Sequence, residues 1–303
     1  MQRSLTTLFG SFVYPVRWCI RVSHLVQTCD GLRRSPYYGH MNIGIVQSSP
    51  VFAEVEGNLA GCFDLMASHF ADLWVLPELF ATGYQFLSPD EVRALAEPVP
   101  SGVTTQALIA YAERNECSIV AGLPEIDGDN VYNAAVLVGP NGFLAHYRKI
   151  HLFYEEKINF TPGDLPFPVI DIGIAKVGMM VCFDHLFPES ARSLTLQGAD
   201  VIAHPANLVL PDLAQRTMSI RALENGVYTA TANRVGTEAR TDESLTYTGQ
   251  SQVIAPDGEA LVRLSQDKVE VAVVEIDVMK ARDKAITVHN DKLGDRRPDL
   301  YQL

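Results

Sequence analysis

Apolar and polar positions follow two different periods along most of the chain. Short runs with alternating or continuous apolar residues predict strands, and apolar residues at helical spacing predict helices between them. The predicted strands span residues 41–47, 73–76, 118–123, 132–139, 143–147, 169–172, 175–181, 200–204, 227–232, 249–255, 259–264 and 269–276. The predicted helices span residues 56–71, 90–97, 104–115, 188–197 and 213–225, with a last one from near 278. This mixture of hairpins and alternating helices predicts an α/β fold in which helices cover mixed sheets.

Residues 176–189 form the stretch that is most informative about chemistry. The uncharged run predicts a buried strand that continues to Cys182, followed by a sharp turn and a helix that begins near Pro188. A cysteine at a strand-to-helix turn is well placed to act as a nucleophile. It is also an ordinary position for a small buried apolar residue. Taken alone, this stretch leaves both interpretations open.

Composition narrows the class of protein. The chain has 303 residues, of which 47% are hydrophobic and 20% charged, and its net charge of −12 argues against a nucleic-acid partner. No apolar run is long enough to predict a membrane span. The five cysteines are Cys19, Cys29, Cys62, Cys117 and Cys182. Their odd number and wide spacing predict neither a disulfide framework nor a metal site, and they favour a reducing, cytoplasmic compartment.

Residues 1–40 differ in composition from the rest of the chain. They contain five arginines, no lysine and a single acidic residue, Asp30. This composition is typical of an organelle transit peptide. The alternative, which we favour, is a disordered extension or an incorrectly assigned start, because Met41 stands directly before the first convincing strand. We therefore expect one domain over residues 41–303.

Glu78 directly follows a predicted apolar strand and has no charged neighbour in the run from Leu73 to Phe80. Burial would raise the pKa of its carboxyl group toward the working pH of a general base. The alternative role is to bond backbone N–H groups of the turn. Residue type and position leave the two roles equally supported.

Two further charged stretches follow predicted strands. In the pair Arg148 and Lys149, the apolar surroundings favour burial of one member, and a buried Lys149 ammonium would lower the cysteine pKa and stabilise an oxyanion. Arg148 is then the outward or structural partner. Glu155 and Glu156 lie in the next loop, and composition does not distinguish them.

Several motifs together resemble the carbon–nitrogen hydrolase, or nitrilase, superfamily, and they occur in that family's order. These are Leu76-Pro77-Glu78, the run YRKIHLF at 147–153, Pro162-Gly163-Asp164, the run VCFDHLFPE at 181–189, QGAD at 197–200, PAN at 205–207, RALEN at 221–225 and ANRVG at 232–236. The resemblance covers about residues 41 to 280. It implies a four-layer α-β-β-α sandwich that pairs through a helical layer into a homodimer.

The resemblance also implies a Glu-Lys-Cys catalytic triad that needs no metal or organic cofactor. Carried over to this sequence, Cys182 is the nucleophile, Glu78 the general base and Lys149 the cation that stabilises the oxyanion. Glu156 best matches the family's second glutamate, and the backbone N–H of Phe183 is the second oxyanion donor. From position we expect the substrate pocket to include Tyr84, Phe153, Phe183, His185, Asn207 and Leu208. We expect His151 and His204 to be structural.

The family resemblance predicts hydrolysis of a small linear amide through a thioester, with release of ammonia and a carboxylic acid. A nitrilase acting on small aliphatic nitriles is the first alternative, and an N-carbamoyl amide hydrolase is the second. All three activities would use the same catalytic residues. A non-catalytic binding protein on the same fold is the remaining alternative, and the presence of all four polar residues argues against it.

Overall fold

Two six-stranded sheets form the centre of the structure, a computed structural model that describes residues 39–301. The strands are β1 His40–Gln47, β2 Leu73–Val75, β3 Ser118–Asp127, β4 Asn130–Gly139, β5 Gly142–Arg148, β6 Val169–Asp171, β7 Lys176–Met179, β8 Val201–Pro205, β9 Tyr228–Ala232, β10 Thr237–Glu238, β11 Leu245–Thr246, β12 Gln252–Ile254, β13 Ala260–Arg263, β14 Glu270–Asp277, β15 Ala285–Thr287 and β16 Asn290–Asp291. The α-helices are α1 Val55–Ala67, α2 Pro89–Leu95, α3 Val103–Asn115, α4 Glu156–Asn159, α5 Pro188–Leu196, α6 Leu213–Asn225 and α7 Met279–Arg282. Two 3₁₀ helices span Cys182–Leu186 and Pro298–Leu300.

Both sheets are mixed and share one plan. The first has the order β14-β1-β2-β3-β4-β5, and its parallel centre is β1, β2 and β3. The second has the order β13-β12-β9-β8-β7-β6, and its parallel centre is β7, β8 and β9. In each sheet, antiparallel strands flank the centre. Parallel centres of this kind are normally covered on both faces.

The side chains of β1 show how the layers form, because successive residues point to opposite faces of a strand. Ile43 and Ile45 belong to the core between the two sheets, together with Val177 of the opposite sheet. Gly44 faces the other way, where a Cβ atom would come within 2.3 Å of the Trp74 ring. Helices α1 and α3 cover that outer face, while α5 and α6 pack on the second sheet. The predicted α-β-β-α sandwich is confirmed.

Most element bounds agree with the predicted ones to within a few residues, and the main differences are the following. The strand predicted over 175–181 ends at Met179, so it does not reach Cys182, which instead begins a 3₁₀ helix. Helix α4 was not predicted, nor were the hairpins β10–β11 and β15–β16. These elements are two to four residues long, too short for a periodic pattern.

Residues 1–38 lie outside the described part of the chain, so the N-terminal extension and the 41–303 domain limits stay predictions. Within residues 39–301, no helix has the length and apolar character needed to cross a membrane.

Candidate active site

A buried lysine joins two buried glutamates at the end of the first sheet. The Nζ atom of Lys149 donates to Oε1 of Glu78 at 2.8 Å and to Oε1 of Glu156 at 2.7 Å. The side chains of Lys149 and Glu78 are 0% exposed, and that of Glu156 is 2% exposed. Charges buried this deeply are stable only when they are paired and hydrogen-bonded. The structure thus brings together three of the four predicted catalytic side chains, and the glutamate that bonds Lys149 is the buried Glu156 rather than the partly exposed Glu155.

Chain connectivity explains how the three groups meet. Glu78 follows β2, Lys149 directly follows β5, and Glu156 is the first residue of α4. The backbone N–H of Lys149 donates to the Asn133 carbonyl at 2.8 Å, which continues the pairing of β4 and β5 by one residue. The last residue of β5, Arg148, turns away to Glu125, Asp127 and Asp164. Arg148 therefore has the structural role that was predicted, but it is buried rather than outward.

Neighbouring donors fix the orientation of both carboxylates. Asn133 Nδ2 donates to Glu78 Oε1 at 2.7 Å, and the Tyr84 hydroxyl donates to Glu156 Oε1 at 2.7 Å. The backbone N–H of Phe153 donates to Glu156 Oε2 at 3.0 Å. Oε2 of Glu78 is buried and has no hydrogen-bond partner among the described residues. One oxygen of Glu78 therefore holds the lysine while the other is free to accept a proton.

Cys182 lies at a strained position at the start of its 3₁₀ helix. Its φ angle is +43°, in the left-handed region that costs a non-glycine residue on the order of 1–3 kcal/mol. His204 Nε2 donates to the Cys182 carbonyl at 2.9 Å, since a carbonyl can only accept. Oδ2 of Asp184 accepts from the backbone N–H of Val181 and from the Tyr147 hydroxyl. These bonds hold the turn, so the predicted structural role of His204 includes direct support of the cysteine.

The environment of the Cys182 thiol keeps it protonated. Burial raises its pKa well above the ordinary value, and the negative charges of Glu78 and Glu156 raise it further. Lys149 lowers the pKa as expected, but it does not outweigh the other effects. The effect of Lys149 on the cysteine is therefore in the expected direction, but the pKa of Cys182 is still raised, because the thiol is buried and the ammonium comes with two carboxylates. A thiol in this state needs a general base before it can attack.

Lys149 stays charged at the centre of the cluster. Burial by itself lowers its pKa, but the charges of Glu156 and Glu78 outweigh burial and hold the pKa above its usual range. Burial raises the pKa of Glu156 to about 7, against the opposing effect of Lys149. The site therefore holds a permanent cation beside a protonated thiol.

A pocket with about 320 Å³ of empty space, including its opening to solvent, lies beside the cysteine. The residues that line it are Phe153, Cys182, Phe183, His185, Asn207, Leu208, Val209, Leu210, Leu213 and Ala214. Five of the six residues predicted from position line this pocket. Tyr84 does not, and its hydroxyl orients Glu156 instead. Leu213 and Ala214, which reach the pocket from the first turn of α6, were not predicted, because no sequence pattern marks them as pocket residues.

Comparison with known proteins agrees with this arrangement. The family model described as "Carbon-nitrogen hydrolase" matches residues 42–285. A protein named "Nitrilase" from Pyrococcus abyssi is 50% identical, covering 86% of this chain and 99% of that protein. An "(R)-stereoselective amidase" from Pseudomonas sp. is 32% identical over 85% of this chain and 92% of that protein.

A solved structure extends the comparison to three dimensions. It is a mutant of the amidase from Nesterenkonia sp. AN1, with the acetamide moiety of fluoroacetamide added covalently at its active-site cysteine. The two chains are 28% identical with a TM-score of 0.72, covering 89% of this chain and 98% of that one. The chain described here therefore belongs to the carbon–nitrogen hydrolase (nitrilase) superfamily and is an enzyme of the amidase and nitrilase type.

Proposed function

We propose that this enzyme hydrolyses a small linear amide, with Cys182 as nucleophile, Glu78 as general base and Lys149 as oxyanion-stabilising cation. The observation that carries the proposal is the Lys149 ammonium, held within 2.8 Å of both glutamates beside a buried thiol. A cation bonded in this way is preorganised to meet negative charge as it develops on a substrate oxygen. Glu156 acts through Lys149 as a positioning residue.

The first half of the reaction forms a thioester. Glu78 takes the thiol proton, and the sulfur attacks the amide carbon to give a tetrahedral oxyanion. Lys149 and the backbone N–H of Phe183 donate to that oxygen. When the intermediate collapses, the C–N bond breaks and the nitrogen takes the proton from Glu78. Ammonia leaves, and the acyl group remains on Cys182.

The second half returns the enzyme to its starting state. Glu78 accepts a proton from a water molecule, which attacks the thioester carbon. The same donors stabilise the second oxyanion. The C–S bond breaks, the sulfur regains the proton from Glu78, and the carboxylic acid leaves. One water is consumed for each amide hydrolysed. No atom changes its oxidation state, so no redox partner is needed.

A nitrilase is the second candidate function, because a relative with 50% identity is named a nitrilase. Ammonia release from butanamide and from butanenitrile, assayed with one enzyme preparation, separates the two activities. We expect the larger kcat/KM with the amide, and no ammonia from either compound with Cys182→Ala. A larger kcat/KM with the nitrile would favour the second candidate. Failure of both compounds and of their shorter and longer homologues would contradict the small-substrate proposal.

A further inference from the structure

Asn207 has a buried amide group without a partner at the edge of the pocket. Asn207 is only 3% exposed. Neither Nδ2 nor Oδ1 of its side chain has a hydrogen-bond partner among the described residues. Buried amide groups are normally satisfied, so an unpaired one in a pocket indicates a ligand that completes it. The Asn207 carbonyl lies 3.9 Å from the Cys182 sulfur, so this residue adjoins the reacting atoms.

The backbone that carries Asn207 is firmly held. The N–H of Leu208 donates to Asn233 Oδ1 at 2.8 Å, and the Thr248 hydroxyl donates to the Leu208 carbonyl at 3.1 Å. Asn233 is itself fixed, since its Nδ2 donates to the Gly249 carbonyl at 2.7 Å. The unpaired amide is thus presented by a rigid support, which is the property of a recognition group.

His185 adds a second neutral polar group to the pocket. The Thr217 hydroxyl donates to the Leu213 carbonyl at 3.0 Å, so it accepts from His185 Nδ1 at 2.7 Å. Burial, with smaller contributions from His204 and Arg221, lowers the pKa of His185 to about 3. With the proton on Nδ1, the ring is neutral and Nε2 is an acceptor.

The other lining residues are apolar, apart from the nucleophile. Among the described residues that line the pocket, none carries a charge at neutral pH. The nearby carboxylates of Glu78 and Glu156 both bond Lys149, at the reacting end. A charged substrate group in this pocket would lose its hydration and find no counter-ion.

From these observations we infer that the substrate of this site is an uncharged amide, with an apolar body and a neutral polar group that Asn207 recognises. This inference rests on the proposed function and narrows it. It excludes carbamoyl amines and carbamoyl amino acids, whose ammonium or carboxylate groups would be buried unpaired. The N-carbamoyl hydrolase alternative is thereby disfavoured.

The test compares three amides of matched length, namely pentanamide, 5-aminopentanamide and glutaramic acid. We expect kcat/KM for pentanamide to exceed that for each charged amide by about tenfold or more, since a charged group would lose its hydration in the pocket and find no counter-ion. A preference for either charged amide would overturn the inference and leave the proposed function standing. Failure to hydrolyse any of the three would contradict both.

Asn207→Asp provides a matched variant because it changes charge and not size. We expect it to raise the ratio of kcat/KM for 5-aminopentanamide over pentanamide by about tenfold, since it supplies a counter-ion. Asn141→Asp, on an exposed turn between β4 and β5, is the control and should leave the ratio unchanged. An unchanged ratio in folded Asn207→Asp would also overturn the inference. The three-substrate comparison with the unmodified enzyme tests it independently if this variant does not fold.

Discussion

Lys149 is the residue on which the charge balance of the site depends. It is fully buried and is the cation that both Glu78 and Glu156 bond. Its removal would leave two neighbouring carboxylates buried together. The stability and the proposed chemistry of this site therefore depend on the same ammonium group.

We predict that Lys149→Met lowers kcat by roughly 10²–10³, the typical effect of losing one oxyanion donor. The same change should lower the free energy of unfolding by roughly 3–5 kcal/mol, because it leaves buried carboxylates unpaired. Ammonia release and urea denaturation of one preparation measure both effects.

The control is the double variant Lys149→Met, Glu156→Gln. It removes one of the two stranded carboxylates, so it should recover most of the lost stability while its kcat stays low. Recovery of kcat together with stability would show that Lys149 acts only in folding. Wild-type kcat in the single variant would contradict its proposed role directly.

The charged residues of the site were predictable because each of them lies within or shortly after an apolar run of the sequence. Their helpers were less visible. Asn133 is one of two asparagines in the otherwise largely apolar β4, and nothing in the pattern links it to Glu78. The raised pKa of Cys182 depends on how deeply the thiol and both glutamates are buried together, which no sequence pattern reports.

At the scale of elements, the 3₁₀ helix Cys182–Leu186 determines where the nucleophile points. The sequence predicted a turn here but not a helix, since five residues contain less than two helical turns. The left-handed φ of Cys182 is offset by bonds from outside the element. One of these is the bond from His204, on β8, to the Cys182 carbonyl. The His204 ring is held in turn by a hydrogen bond between its Nδ1 atom and the Thr231 hydroxyl at 3.0 Å.

We predict that His204→Phe lowers kcat by about tenfold, because losing the bond to the Cys182 carbonyl costs on the order of 1–2 kcal/mol of positioning. KM should change little, since His204 is not among the residues that line the pocket. His204→Gln retains a donor and should restore much of the activity. A rise in KM with unchanged kcat would indicate that His204 acts on the substrate pocket instead.

At the scale of the whole molecule, the sandwich was predictable from the family resemblance and from the alternation of apolar strands and helices. The small hairpins were not, because two- or three-residue strands lack a pattern. Pairing of two chains stays a prediction. The half-exposed side chains of Leu196, Ile220 and Leu223, on α5 and α6, are available for such a contact.

The central claim, that Cys182 carries the reaction, can be tested across the whole chain with the thiol-alkylating reagent iodoacetamide. Intact-mass spectrometry, peptide mapping and residual ammonia release are measured as labelling proceeds. Cys62 and Cys117 serve as internal controls, because they are also buried and burial raises the pKa of each to about 12. We predict that Cys182 is labelled much faster than Cys62 and Cys117, with activity lost in proportion to its labelling. Stoichiometric labelling of Cys182 with full retention of activity would contradict the account.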